Sequence, residues 1–206
     1  GVLFNRPEDP MLVVADYIAT AEERTSDIGV RTFDEIDATY ASITGVDRVN
    51  YQDGNGDFVV EETYQELRQS LPAVEDMEAF LSSHQVALAQ LAIEYCNAMV
   101  ENPSLNASMF PDFNFNDPAT TAFNDVNRVN FVDPLIARFI GNARGGTEID
   151  TQPSFDTVYT ELADFTAAGG RPNDLVDRLV LGGSNTRAVA KGVCAAALGN
   201  AATLIQ

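Results

Sequence analysis

The stretch HQVALAQLAIEYCNAMV, residues 84–100, decides the fold, because its apolar side chains recur at the spacing of a helix. Continued in both directions, the pattern predicts one long helix from about Glu75 to Glu101, the longest element that the sequence indicates. Residues three or four apart share one face of a helix, so we expect the apolar stripe to face the core. The stripe comprises Met77, Leu81, His84, Leu88, Leu91, Tyr95 and Met99.

Two shorter helices are predicted before the long one. Residues 31–45 have apolar side chains at helical spacing, a capping box of Thr32 and Glu35, and a terminal Gly45. Residues 60–71 show the same apolar period and end before a proline. Both segments therefore fit helices that each bury one face.

The first 30 residues differ from the rest, because their apolar stretches are short and the opening GVLFNRP is strand-like and stopped by Pro7. The chain starts at Gly1 without an initiator Met or a signal peptide, so we interpret it as a processed piece of a longer protein. We predict an extended segment at 1–30, either the remnant of a preceding domain or an assembly arm. The helical domain is predicted at 31–206.

The region after the long helix begins with a polar stretch. Residues 102–130 are rich in Asn, Asp and Phe and lack a sustained period, which predicts a structured loop with one or two helical turns. A compact helix is then predicted from an N-cap at Asp133, with Pro134 in its first turn and Gly141 at its end.

Three further helices are predicted near the C-terminus, at about 155–165, at 175–181 and from Ser184 onward. The last is rich in Ala and Gly, which permits close approach of a neighbouring helix. We expect that neighbour to be the long helix of the same molecule; a seam between two molecules is the alternative.

Two cysteines, Cys96 and Cys194, are separated by 98 residues and form no C-x-x-C motif, so neither a zinc site nor a dithiol motif is indicated. The preferred interpretation is a disulfide between two helices, and the alternative is a pair of buried thiols. The predicted fold class is thus all-α, a disulfide-linked multi-helix domain with a short N-terminal extended segment.

The charge balance limits the partners. With 31 acidic against 12 basic residues, the net charge of -19 repels nucleic acid and anionic membranes. No apolar run approaches the roughly 20 residues that a membrane-spanning helix needs. Lys191 is the only lysine, and an acid-rich, lysine-poor composition suits a salty medium, which indicates a marine or halophilic origin. The alternative is that the acidic residues only maintain solubility.

One loop has the pattern of a calcium site. YQDGNGDFVVEETY, residues 51–64, places Asp and Asn at alternate positions, as an EF-hand loop does to surround Ca²⁺ with oxygen atoms. Two departures are Phe58 where the turn favours Gly, and Tyr64 where a bidentate Glu belongs; an ordinary Asx turn is the alternative. The predicted ligands are Asp53, Asn55, Asp57, Val59 through its carbonyl, Glu61, and Glu62 closing a shortened loop.

Other residues are weaker candidates. In PDFNFNDP, residues 111–118, oxygen atoms beside Phe113 and Phe115 suit a cation or a sugar, although turn structure and partial core are the preferred interpretation. These oxygen-bearing residues are Asp112, Asn114, Asn116 and Asp117. His84 is the only histidine and is expected to be structural, since no nucleophile or nucleotide-binding motif accompanies it. No catalytic residues are predicted.

Three stretches, residues 31–46, 71–100 and 186–206, resemble the helical region that follows a laminin-G-like (concanavalin-A-like) module in large, uncharacterised secreted proteins of marine gammaproteobacteria. The most specific pieces are QLAIEYCNAMV and VCAAALG, and both cysteines lie within them, which fits a disulfide. The resemblance covers about a third of the chain. It implies an extracellular or cell-surface setting and supplies no catalytic residues.

These observations predict a non-enzymatic extracellular structural or adhesion module, stabilised by Ca²⁺ and able to assemble with copies of itself into a fibre or surface layer. The alternative is a module that binds a surface polysaccharide or another anchored protein through the Asn- and Phe-rich loop, and a hydrolase is the third hypothesis. Nucleic acid and a membrane span are not expected.

Overall fold

A computed structural model describes residues 31–69, 82–140, 155–164, 166–167, 171–172 and 174–199. Within these ranges the chain forms nine α-helices, one π-helical turn and one pair of two-residue strands, which confirms the all-α prediction. The predicted N-terminal segment at 1–30 lies outside the described residues. None of the described helices combines the length and apolarity needed to cross a bilayer.

The helices in chain order are α1 Phe33–Thr44, α2 Val59–Arg68, α3 Ser82–Glu101, α4 Pro103–Met109, α5 Ala119–Ala122, α6 Val129–Ile140, α7 Phe155–Tyr159, α8 Leu175–Leu181 and α9 Thr186–Leu198. The π-helical turn, Thr160–Asp164, follows α7 directly. Strands β1 Thr166–Ala167 and β2 Arg171–Pro172 pair antiparallel.

Helix α1 begins and ends as its sequence predicts. The Thr32 hydroxyl accepts a hydrogen bond from the Glu35 backbone N–H, and the Glu35 carboxylate accepts one from the Thr32 backbone N–H. Gly45 adopts φ +70°, a left-handed conformation that ends the helix. Two local signals, the capping box and the glycine, therefore define this helix.

Helix α3 is the centre of the fold, and α1, α2, α4 and α9 pack against it. Its predicted stripe is buried at the five described positions, namely His84, Leu88, Leu91, Tyr95 and Met99. Met77 and Leu81 lie outside the described residues. The prediction that this apolar stripe faces the core is therefore confirmed at the described positions.

The alanine-rich helix α9 packs along α3 in the same molecule, as expected. Where α8 crosses α9, Gly192 leaves room for the Leu179 side chain, since a Cβ at Gly192 would lie 2.9 Å from Leu179 Cδ1. Small residues in α9 therefore allow it to pack closely on α8 as well as on α3.

A disulfide joins the two central helices. Cys96 of α3 and Cys194 of α9 are fully buried, with their Cα atoms 5.8 Å apart. The preferred interpretation of the two cysteines is confirmed. The bridge closes a covalent loop that includes α4 to α8 and their connections.

The predicted start of the helix at Asp133 is wrong, because α6 begins four residues earlier, at Val129. Turns precede the helix: the Asn124 side chain accepts hydrogen bonds from the N–H groups of Val126 and Asn127. These turns lead directly into helical backbone. Pro134 therefore lies inside α6, where its missing N–H costs the carbonyl of Asn130 one helical hydrogen bond.

Candidate functional site

The loop at residues 53–57 closes on itself through Asp53. The carboxylate of Asp53 accepts hydrogen bonds from the backbone N–H groups of Asn55, at 2.8 Å, and Asp57, at 2.9 Å. The backbone N–H of Asp53 donates to the Asp57 carbonyl at 3.0 Å, and Gly56 turns the chain at φ +91°. The hydrogen bonds from backbone N–H groups lower the pKa of Asp53. The Asp53 carboxylate is thus the hydrogen-bond acceptor for two backbone N–H groups of its own loop.

The other predicted calcium ligands are placed differently. Glu61 accepts hydrogen bonds from Arg48 and from Gln65 Nε2, the latter at 2.7 Å. Val59 is the first residue of α2, and Glu62 lies in the first turn of that helix. The structure therefore brings Asp53, Asn55 and Asp57 into one turn but engages Glu61 elsewhere.

Across the described ranges, no three His, Cys, Asp or Glu side chains converge as a metal site would require. The calcium site at 53–62 is not shown by this geometry, and calcium binding stays a prediction. The loop lies beside a surface groove that also contacts the end of the central helix α3.

The groove, of about 440 Å³, lies between residues 51–54 and the junction of α3 with α4. Asp53 and Glu101 both line it. Burial raises the pKa of Tyr51 in the groove, and the nearby charge of Asp53 adds to that effect. Glu101 is paired with Lys191, at 2.7 Å, and with Arg187, at 3.5 Å. The groove is polar and partly neutralised by these cations.

The second candidate, residues 112–117, places its two phenylalanine rings in the core. Phe113 and Phe115 are 7% and 8% exposed, so neither ring face is open to stack on a sugar. They belong to a cluster of aromatic rings with centroid distances of 4.5 to 6.1 Å. The members are Phe110, Phe113, Phe115, Phe123 and Phe131.

The polar residues of this segment form turns. Asn114 Oδ1 accepts a hydrogen bond from the Asn116 backbone N–H, and Asn114 Nδ2 donates to Asp117 at 2.8 Å. The segment is fixed to α9 because the Thr186 hydroxyl donates to the Asp117 carbonyl. The preferred interpretation of turn structure and partial core is confirmed for these residues.

A second groove, of about 380 Å³, lies where this segment meets the start of α9. Asn116, Asp117 and Asn185 give it polar walls, and the guanidinium of Arg187 lies 5.6 Å from the centroid of the Phe115 ring. A polar ligand in this groove would meet amide and carboxylate oxygens and one cation, Arg187, which also pairs with Glu101.

A partly buried ion cluster links α1 to α2, and a tyrosine of α3 joins it. Arg48 Nε contacts Asp37 Oδ2 at 3.0 Å, its guanidinium pairs with Glu61, and it lies 3.7 Å from the Tyr64 ring centroid. The Tyr95 hydroxyl donates to Asp37 Oδ1 at 2.7 Å. Burial raises the pKa of Asp37, although these partners oppose the shift.

A second buried cluster centres on Arg128. Its guanidinium donates to the Ala163 carbonyl at 2.8 Å, to Asp174 at 3.3 Å and to Asp177 at 2.9 Å. Asp125 completes the cluster at 3.0 Å from the exposed side. Burial raises the pKa of Asp174 to about 6. The cluster ties the start of α6 to the π-helical turn and to α8.

Sequence reasoning missed both ion clusters, since their members are far apart in the chain. One signal was present: arginines are few among many acids, so each is a candidate for an internal pair. His84, by contrast, is 6% exposed in the first turn of α3, which confirms its expected place in the core.

Comparison with known proteins finds no family model, no curated protein and no solved structure that matches this chain. The resemblance to a helical region of secreted proteins therefore stays a prediction.

Proposed function

We propose that this protein is a non-enzymatic, extracellular structural or adhesion module. The observation that carries the proposal is the fully buried disulfide between α3 and α9. Structural disulfides persist in oxidising compartments such as the cell exterior and are rare where thiols are kept reduced. A bridge at the centre of the helical core serves rigidity rather than redox exchange, because solvent does not reach its sulfur atoms.

The distribution of charge supports a role at the surface. Five cations, Arg48, Arg68, Arg128, Arg187 and Lys191, each pair with Asp or Glu. Exposed acidic residues of the described ranges, among them Asp47, Asp57 and Asp112, give this part of the surface a negative charge. An acidic exterior favours contacts that cations bridge, and it keeps the module from associating with nucleic acid or anionic lipid.

Assembly with copies of the same chain into a fibre or surface layer is the specific form that we propose. The test is sedimentation velocity and negative-stain electron microscopy of the concentrated protein, with calcium and with chelator. Ordered polymers are the expected result. A protein that stays monomeric at high concentration in both conditions contradicts assembly.

Calcium stabilisation is tested separately by thermal unfolding with calcium and with chelator. Asp53→Asn removes a carboxylate from the 53–57 loop, and Asp47→Asn is the matched control, since Asp47 also accepts turn hydrogen bonds, from Asn50. We expect calcium to raise the Tm of the wild type and of Asp47→Asn, but not of Asp53→Asn. A wild-type Tm that calcium leaves unchanged rules out the site.

The alternative is a module that binds a surface polysaccharide or another protein. The groove at Asn116 and Arg187 favours it, because this groove combines a cation with polar walls. A glycan array with Asn116→Ala, and with Asn124→Ala as an exposed control outside the groove, tests the idea. Binding that only Asn116→Ala abolishes supports it, and a silent array contradicts it for glycans.

A further inference from the structure

Asn55 and Gly56 form the only Asn-Gly pair in the sequence. Both residues are exposed on the 53–57 loop, and no heavy atom lies within 4 Å of the position that a Cβ on Gly56 would occupy. Because Gly56 has no side chain to block the approach, its backbone nitrogen can reach and attack the side-chain amide carbon of Asn55. The loop therefore presents a nucleophile and an electrophile in adjacent, solvent-accessible residues.

We propose that Asn55 is a site of spontaneous deamidation through a cyclic imide formed with Gly56. The Gly56 backbone nitrogen loses its proton to water or hydroxide and bonds to Asn55 Cγ, and the side-chain amide leaves as ammonia. Water then opens the imide at either carbonyl, which yields aspartate or isoaspartate. One water is consumed and one ammonia released, so the reaction needs no oxidant, reductant or enzyme.

The hydrogen bonds of the loop determine which contacts must break before the imide can form. The Gly56 N–H donates to the Asp53 carbonyl at 3.0 Å, so this single backbone bond opens before the nitrogen attacks. The Asn55 side chain donates a hydrogen bond from Nδ2 to Asp53 Oδ2 at 3.2 Å, and the residue is exposed to solvent. Neither bond is protected by burial, so exchange with water breaks each of them readily.

Asp53 precedes Gly54 and offers a similar pair, but its chemistry differs. An amide nitrogen does not attack a carboxylate anion, whereas the side-chain amide of Asn55 is neutral and has ammonia as its leaving group. Hydrogen bonds from backbone N–H groups also hold the Asp53 carboxylate inside the turn. The reaction is therefore assigned to Asn55 and not to Asp53.

Deamidation changes the loop in two ways. It replaces the hydrogen bond from Asn55 Nδ2 to Asp53 with repulsion between two carboxylates. Where isoaspartate forms, it also inserts a methylene into the backbone after the Cα of residue 55, which displaces the Asp57 N–H from the Asp53 carboxylate. The loop gains one negative charge beside the groove at Glu101, independently of whether the module assembles.

The test is incubation of the folded protein in mildly alkaline buffer, followed by peptide mapping and enzymatic labelling of isoaspartate. We expect the mass gain of an amide-to-acid conversion at Asn55, several-fold faster than at Asn116 and Asn124, which are exposed but precede Asp residues. Isoaspartate at this position identifies the imide route, since direct hydrolysis yields aspartate alone.

Asn55→Gln is the control variant, because its longer side chain disfavours the five-membered ring. Circular dichroism establishes that it folds like the wild type, and we expect no isoaspartate in its loop. The proposal is overturned if Asn55 converts no faster than Asn116 and Asn124, or if its only product is aspartate.

Discussion

The carboxylate of Asp37 shows how single polar residues hold this fold together. It lies on α1, receives the Tyr95 hydroxyl from α3 and pairs with Arg48 in the connection between α1 and α2. A buried carboxylate without partners would be costly, whereas a paired one links three elements. Each partner is therefore worth more here than it would be at the surface.

We expect Tyr95→Phe to lower the free energy of unfolding by about 1.5 to 3 kcal/mol, since it removes a buried hydrogen bond to a charged group. Tyr64→Phe is the matched control: its hydroxyl also donates to a carboxylate, at 2.6 Å, but Asp34 is 61% exposed. Urea denaturation measures both. Equal losses in the two variants would contradict the role assigned to burial.

Asp174 gives a residue-scale prediction about pH. Its pKa of about 6 in the folded protein exceeds its ordinary value of 3.8 because burial disfavours the charge. The folded state thus binds the proton more tightly than the unfolded chain. The resulting stabilisation is complete below about pH 4 and is lost as the pH rises through 6.

Asp174→Asn should flatten this dependence, because an amide stays neutral at every pH. Relative to the wild type, we expect the variant to gain stability between pH 4 and 7, on the order of 2 kcal/mol. Thermal unfolding of both proteins across this range measures the difference. Parallel curves would show that Asp174 does not titrate in this window.

At the scale of elements, α1 is the helix that local sequence specifies most completely. We expect Thr32→Ala to destabilise the protein by about 1 kcal/mol, since the capping box loses its side-chain acceptor. Thr39→Ala is the control, because Thr39 lies within α1 and its hydroxyl caps no helix end: it donates to Glu35 O and accepts from Arg31 Nη1. Chemical denaturation that ranks Thr39→Ala as the more damaging change would refute the assignment.

Helices with local start and stop signals were predictable from sequence, and α6 was not. In α1, the capping residue and the glycine lie directly next to the helix ends that they set. Helix α8 matches its predicted bounds of 175–181 because Asp174 and Gly182 flank it in the same way. In α6, Asp133 and Pro134 resemble a start, but the turns before Val129 already provide helical backbone. Preceding structure therefore overrode a valid local signal.

The candidate site was predictable only in part. Residues 53–57 form a turn, as alternating Asp, Asn and Gly indicate, but the partner of Glu61 is Arg48, which the spacing of a metal loop does not reveal. Likewise, burial of Phe113 and Phe115 depends on rings contributed by α6 and by the residue after α5. Such pairings form between distant residues, so a local pattern cannot predict them.

At the scale of the whole molecule, the disulfide is the dominant constraint on the unfolded chain. A loop of about 100 residues predicts a loss of roughly 4 to 5 kcal/mol when the bridge is removed. We expect the Cys96→Ala, Cys194→Ala double variant to show this loss in urea denaturation. A loss below about 1 kcal/mol would mean that strain in the folded state offsets the constraint.

The same bridge makes the stretch from 96 to 194 a closed ring of covalent bonds. A protease that cuts the backbone once within the ring opens it without releasing a fragment. Such a nicked protein keeps its mass apart from one added water, and it separates into two pieces only after reduction. On denaturing gels, damage of this kind is invisible until a thiol is added.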